Sequence, residues 1–358
     1  MKKNKAFLKT SIKKAFLIAF VLFSQLAVFA QSEKFIIPYI DMVGRDVCLA
    51  WDNETGKSVY YSWSDDTYNW EPYEINIKSN PVSGASGKTM LSPYVDKKGR
   101  DVVLAWDTKT GKSVFYRWNS SSYSWNAYEI NLPSSPVPGS TGDIMMTPYI
   151  DMTGRDVVLV WDTKSGKSMF YNWSDNTYNW EPYEINITSN PVPGSTGLIM
   201  MEPYLDSGKR DVILAWDNTT GKSVFYRWNG SSYSWKAYEV NLPSSPISGA
   251  TGEIRMHPYI DMTGRDVVLV WDMKSGKSLF YSWSDNTYNW EPYEINITSN
   301  PVPGSTGLIM MEPYLDSGKR DVVLATDMSS GESVFYRWNG SSYTWKAYEV
   351  NLPSNPVR

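Results

Sequence analysis

PYIDMTGRDVVLVWD, residues 148–162, is the stretch that decides the fold. It joins a proline-led apolar segment to a turn at Gly154, and then to a run from Val157 to Trp161 that is apolar at every position. Such a run fits a strand covered on both faces. The motif Pro148-Tyr149-Ile150-Asp151 has counterparts beginning at Pro38, Pro93, Pro203, Pro258 and Pro313, always 55 residues apart, which makes six copies. The 17 Trp and 25 Tyr of the 358-residue chain fall in register with that period, and Thr326 stands at the one position where a copy lacks its Trp.

Turn chemistry cuts the third copy into four strand-like pieces: Ile144 to Asp151, Asp156 to Asp162, Lys167 to Trp173, and Tyr178 to Ile187. Asn190 to Gly197, rich in Pro, Gly and Ser, cannot propagate a ladder and reads as a connection. There is no helical periodicity. Six units of four strands bury their faces best by standing radially, so the expected fold is all-β, a six-bladed β-propeller of four-stranded antiparallel blades. A linear β-solenoid is the rival, but it usually carries distinct end caps, and the terminal copies here look like the middle ones. Ring closure has two readings: contiguous blades, or an N-terminal strand that completes the last blade. A second period overlies the first. Odd copies carry Trp173-Ser174-Asp175 and Trp180-Glu181-Pro182, whereas even copies carry Arg227-Trp228-Asn229 and Trp235-Lys236-Ala237, so the unit is a pair of blades, 110 residues, present three times.

Residues 1–30 carry six lysines and an apolar run from Ala15 to Phe29, the pattern of a secretory signal peptide cleaved after Ala30. Residues 31–358 then form a single propeller domain with repeats 35–89, 90–144, 145–199, 200–254, 255–309 and 310–358. The expected location is secreted, with periplasm or cell surface as variants, and no later segment is apolar enough to suggest membrane insertion. Losing six lysines takes the formal charge from −4 to −10, which repels a polyanion, so no nucleic-acid partner is expected. Cys48 is the only cysteine and cannot form an internal disulfide.

Catalysis usually gathers one set of groups at one place, and the near-identical copies offer no such gathering. The chain is therefore expected not to be an enzyme. His257, the only histidine, replaces Ile37, Ser92, Thr147, Glu202 or Glu312 of the other copies and is expected to be incidental. No cofactor and no metal are expected: a zinc site lacks its Cys/His cluster, and the Asp151–Asp156 turns lack the closely spaced ligands that calcium wants. Gly166-Lys167-Ser168 lacks the preceding glycine and following helix of a phosphate loop and reads as a hairpin turn.

Binding is better represented. Arg45, Arg100, Arg155, Arg210, Arg265 and Arg320 precede the most apolar strand in every copy, each close to an aspartate with which it can pair. Trp70, Trp125, Trp180, Trp235, Trp290 and Trp345 follow polar turns. Glu71, Glu181 and Glu291 occur in odd copies only, and Arg117, Arg227 and Arg337 in even copies only, so a shared cleft could set each Glu against an Arg. A guanidinium fork, a carboxylate and a flat indole together suit a sugar, whose hydroxyls take directional hydrogen bonds while its C–H face lies on the ring. The bland reading is that the aromatics pack between blades and the Arg–Asp pairs are turn salt bridges.

Arg155-Asp156-Val157-Val158-Leu159-Val160-Trp161-Asp162, followed by Gly166, Phe170-Tyr171 and Trp180, resembles the blade pattern of the six-bladed fucose-binding propeller lectins of fungi and bacteria. The resemblance covers all six copies as a pattern of residue types. It implies sugar sites between blades that use Arg155 and Trp180 and their equivalents. The family's Glu on the next strand is replaced near Met169-Phe170, which puts fucose preference in doubt. The expected function is a secreted multivalent lectin whose partners are cell-surface glycans or polysaccharide. The alternatives are an adhesion scaffold that binds other proteins, or a carbohydrate-active hydrolase or lyase.

Overall fold

Each copy folds into one four-stranded antiparallel sheet with its strands in chain order, as in Ile144–Ile150, Asp156–Asp162, Ser168–Ser174 and Asn179–Pro182. The computed structural model describes residues 32–183 and 185–357, so the segment read as a signal peptide lies outside the described residues. The innermost strand of each sheet touches those of its two neighbours, and the last touches the first. The molecule is a six-bladed β-propeller. No helix among the described residues is long and apolar enough to cross a membrane.

The second strand lies between two neighbouring blades, and its composition follows: Val157, Val158, Leu159, Val160 and Trp161 are all buried. The Trp161 indole N–H donates to the Ile199 carbonyl of the next blade at 3.1 Å. The turn after this strand needs its glycine. Gly166 has φ of 67°, and a Cβ there would lie 2.6 Å from Cδ of Pro191. Gly-Lys-Ser is thus a hairpin turn packed on a proline.

The first strand, Lys34–Ile40, pairs with Asp46–Asp52 of its own copy, so every blade is contiguous and the ring closes without strand exchange. The seam repeats the contacts made elsewhere. Lys34 N–H donates to the Met328 carbonyl at 2.6 Å, as Ile199 does to Thr163, and Tyr61 donates its hydroxyl to the Pro356 carbonyl at 2.7 Å, as Tyr171 does to Pro136.

The fourth strand is shorter than expected. It ends at Pro182 rather than near Ile187, because the Asn186 side-chain carbonyl accepts the Phe170 N–H at 3.0 Å and takes the place of further backbone pairing. Asn131 does the same for Phe115 in an even copy, where Ala127 stands in the place of Pro182.

On the face that carries the first and third hairpin turns of each blade, an aspartate at the start of each second strand accepts an amide from the preceding blade. Asp101 takes Met42 N–H at 2.9 Å, and Asp46 takes Ser317 N–H at 3.1 Å across the seam. Burial raises Asp101, Asp211 and Asp321 to a pKa of about 6. At the opposite end of the strand, burial opposes the charge on Asp107, Asp162 and Asp217, yet amide donors of the neighbouring loops outweigh it and hold these groups below the ordinary value. A raised acid binds more protons folded than unfolded, so its unfavourable contribution near neutrality shrinks as pH falls below about 6 and is gone near the unfolded value of about 4. The lowered acids act oppositely, and their stabilisation is lost as pH falls below about 4. Melting temperature is expected to rise from neutrality to about pH 5 and to fall below about pH 4. The D101N/D211N/D321N variant keeps an acceptor oxygen and is expected to show a smaller rise in the same calorimetric series; an unchanged profile would remove these groups from the account.

Candidate functional site

Six interfaces separate the blades, and each contains one aromatic stack. The fourth-strand Trp lies flat on an aromatic ring of the preceding blade: Trp180 on Phe115 at 4.8 Å between centroids and 14°, Trp290 on Phe225 at 4.8 Å, Trp125 on Tyr60 at 5.0 Å, and Trp70 on Phe335 at 4.9 Å across the seam. Trp235 and Trp345 stack on Phe170 and Phe280 in the same way. Trp70, Trp180 and Trp290 are only 7% exposed. Each of these indoles therefore has one face committed to packing.

The interfaces are of two kinds, and those leading from an even blade to an odd one open into clefts. Between blades 4 and 5 a solvent-open cleft is lined by Asp206, Arg210, Arg227 and Tyr238 on one side and by Asp266, Trp283, Asp285 and Trp290 on the other. Equivalent clefts lie between blades 6 and 1 and between blades 2 and 3. Arg210 is bound by Asp206, its Nε at 2.8 Å and its Nη2 at 2.7 Å. Arg227 is not bound in this way. Its guanidinium lies 4.1 Å from the Tyr238 ring centroid, its Nε is buried with no hydrogen-bond partner, and Asp206 Oδ2 is 3.9 Å away, beyond hydrogen-bond reach. Burial and then the adjacent Arg210 both disfavour its charge. Arg117 and Arg337 repeat the arrangement over Tyr128 and Tyr348.

The odd blade completes the cleft. Trp283 is half-buried, packs edge-on against Trp290 at 5.7 Å, and donates its indole N–H to Asp285 Oδ1 at 3.0 Å. Trp63 and Asp65 do the same in the cleft between blades 6 and 1. Each cleft thus joins free guanidinium donors, carboxylate acceptors and an accessible indole. Interfaces leading from odd to even blades lack this set: Ser62, Asn172 and Ser282 stand in place of the second Arg, and Ser120, Gly230 and Gly340 in place of the Asp. There Arg45, Arg155 and Arg265 hold Asp41, Asp151 and Asp261, with Tyr73, Tyr183 and Tyr293 nearby. Arg100 and Arg320 hold Asp96 and Asp316 similarly. All six strand-leading arginines are turn salt bridges, in accord with the bland reading of them.

The odd-copy glutamates do not meet the even-copy arginines. Glu71, Glu181 and Glu291 neighbour Trp70, Trp180 and Trp290 in the fourth strand and so leave its other face, because side chains alternate along a strand. Each accepts a hydrogen bond from a threonine of its own turn, as Glu181 does from Thr177 at 2.6 Å. The carboxylates that share a cleft with Arg117, Arg227 and Arg337 belong instead to Asp175, Asp285 and Asp65. The odd-copy Trp-Ser-Asp run carried that signal, since Trp and Asp two apart share a face at a strand end. Also unforeseen are the turn-tip tyrosines, Tyr68, Tyr123, Tyr178, Tyr233, Tyr288 and Tyr343, which are 66–72% exposed with φ of 46–52°. A bulky residue held in that conformation signals local strain.

His257 is not incidental in its surroundings. On the innermost strand of blade 5 it lies with Nδ1 3.2 Å from Glu312 Oε2 of blade 6. On blade 4, Glu202 is raised to about 7, chiefly by burial and against the opposing influence of His257. The corresponding positions in blades 1–3 are Ile37, Ser92 and Thr147, so this acid–base group occurs once. Among the described residues no group of three or more His, Cys, Asp or Glu is arranged to hold a metal ion.

No protein-family model matches the sequence, and no curated protein matches it. Solved structures match in fold. An ulvan lyase, a polysaccharide lyase bound to -[GlcA(1-4)Rha3S]-, is 11% identical with a TM-score of 0.48, covering 89% of this chain and 85% of its own. A protein from Lactobacillus plantarum is 10% identical with a TM-score of 0.52, covering 85% and 81%. A fucose lectin from Kordia zhangzhouensis in complex with methyl-fucoside is 15% identical with a TM-score of 0.26, covering 42% of this chain and 99% of its own. The fold is that of a six-bladed propeller. The expectation that the chain is no enzyme does not stand, because the matching structures include this lyase, an endo-arabinase and a fructan 1-exohydrolase. At such identities the match speaks for the fold alone, and the fold accommodates both roles.

Stacked and cleft-facing indoles should separate under mutation. Trp290→Ala removes a buried stack and is expected to cost about 3–5 kcal/mol in urea unfolding. Trp283→Ala, half-buried at the mouth, is expected to cost under about 1 kcal/mol. Equal losses would show that the two rings do the same work.

Proposed function

We propose that the protein is an exported, multivalent carbohydrate-binding protein whose sites are the three clefts leading from an even blade to an odd one. The observation that carries this reading is the unpartnered guanidinium. Arg117, Arg227 and Arg337 each keep a buried Nε without an acceptor, in a structure whose other cleft arginines are held by aspartates. No carboxylate holds these guanidiniums at hydrogen-bond distance, and the Arg227 and Arg337 side chains are about a third exposed, so a ligand that brings an acceptor can reach their outer nitrogens. A sugar ring oxygen or hydroxyl supplies it. Asp65, Asp175 and Asp285 can accept from neighbouring hydroxyls, and Trp63, Trp173 and Trp283 offer the apolar face.

Three sites on one face of a rigid ring raise apparent affinity for a glycan-covered surface or a polysaccharide, because the second and third contacts become intramolecular. Export rests on the lysine-led apolar segment of residues 1–30. The single group formed by Glu202, His257 and Glu312 favours a second reading, turnover of a bound chain at the innermost strands of blades 4 to 6, for which two carboxyl groups and a histidine are suitable chemistry. Release of reducing ends or unsaturated products from a polysaccharide panel tests it, and a flat time course would remove it.

A glycan array with the wild-type chain is expected to give signals inhibited by free sugar. R117A/R227A/R337A is expected to lose at least about tenfold in affinity, the usual consequence of removing a hydrogen bond to a charged group. E71Q/E181Q/E291Q is expected to bind as the wild type does. Binding that ignores both free sugar and the arginine changes would favour a protein partner instead.

A further inference from the structure

The three clefts are equivalent in their arginines and indoles but not in their charge. The even-blade turn at the mouth reads Asp96-Lys97-Lys98-Gly99-Arg100 in blade 2, against Asp206-Ser207-Gly208-Lys209-Arg210 in blade 4 and Asp316-Ser317-Gly318-Lys319-Arg320 in blade 6. Lys97 and Lys98 line their cleft, whereas Lys209 and Lys319, one position later, are exposed and lie outside the linings of theirs. The turn of blade 2 thus sets two positive charges along its cleft, whereas blades 4 and 6 carry the same number of lysines elsewhere, as Lys209 and Lys319 and, where blade 2 has Asn126, as Lys236 and Lys346.

One of those charges changes what the cleft can accept. Lys97 Nζ bridges to Asp175 Oδ2 of blade 3 at 2.6 Å, with the lysine side chain 18% exposed. Asp65 and Asp285, the matching carboxylates, accept only the indole N–H of Trp63 and Trp283 and keep their charge uncompensated. In those two clefts a second anion would meet a bare aspartate. Between blades 2 and 3 that aspartate is neutralised, Lys98 adds a cation, and the Arg117 guanidinium stays open, 3.7 Å over the Tyr128 ring. A planar guanidinium without a partner is matched by a carboxylate, which can take two of its N–H groups at once.

Building on the carbohydrate reading above, we propose that the cleft between blades 2 and 3 binds an acidic saccharide bearing a carboxylate, while its two counterparts select neutral sugars. One ring would then engage a heteropolymer of acidic and neutral units, with one site for the former and two for the latter.

Titration calorimetry of the whole chain with galacturonate, glucuronate and mannuronate trimers and their neutral methyl esters tests this. At least one acidic trimer is expected to bind with a stoichiometry of one per chain, about tenfold more tightly at that cleft than its ester, and more weakly as salt is raised. K97S/K98T, which installs residues found at those positions in other copies, is expected to lose that tenfold preference and retain neutral-sugar binding. S207K is expected to add a second acidic site between blades 4 and 5. An acidic trimer filling two or three clefts of the wild type, or binding K97S/K98T unchanged, would overturn the proposal. If array-positive neutral sugars bind and no acidic trimer does, this inference fails and the carbohydrate reading stands; if no saccharide of either kind binds, both fail.

Discussion

The flat stack between the fourth-strand Trp of one blade and an aromatic ring of the blade before it sets the rest of the arrangement. It occurs at all six interfaces, the seam included, with centroids 4.8–5.1 Å apart. Stacks of this kind add about 0.5–1.5 kcal/mol beyond the area they bury, and here they also fix the blade spacing. A contiguous ring has no strand exchange to hold it shut, so the seam depends on repeating the same stack, the same tyrosine-to-proline hydrogen bond and the same aspartate-to-amide link.

With those indoles committed to packing, the proposed binding sites draw on the residues one strand inward and at the turns. The doubled repeat then divides the work. Even blades supply the second arginine and its tyrosine platform, odd blades the accessible Trp and its Asp, and a complete set forms only where an even blade precedes an odd one. Three clefts follow from 110-residue periodicity as directly as six blades follow from the 55-residue one. The shorter period thus sets the blades, and the longer one sets the clefts to which binding is assigned by the proposal.

Much of this was legible in the sequence. The uninterrupted apolar run from Val157 to Trp161 could only be a strand between two layers, and the fixed spacing of its counterparts gave six blades. The Arg155–Asp151 pair was readable from its turn. Cleft membership was not, because it depends on which face of a blade each side chain leaves, and one residue of register exchanges the faces. Glu181 and Trp180 are neighbours in sequence and part company in space; Trp173 and Asp175, two apart, meet. The length of the fourth strand was hidden for a similar reason, since Asn186 replaces a backbone acceptor with a side chain from a segment that looked extended. The pairing of His257 with Glu312 joins residues one full repeat apart, visible only once the innermost strands are brought side by side.

A crystal of the full chain soaked with an array-positive saccharide tests the central claim most directly. The account predicts sugar density in clefts that follow even blades, with a guanidinium nitrogen of Arg117, Arg227 or Arg337 within hydrogen-bond distance of a sugar oxygen and an odd-blade Trp beneath the ring. Density at the odd-to-even interfaces, beside the innermost strands alone, or in the clefts without contact to those arginines would contradict it.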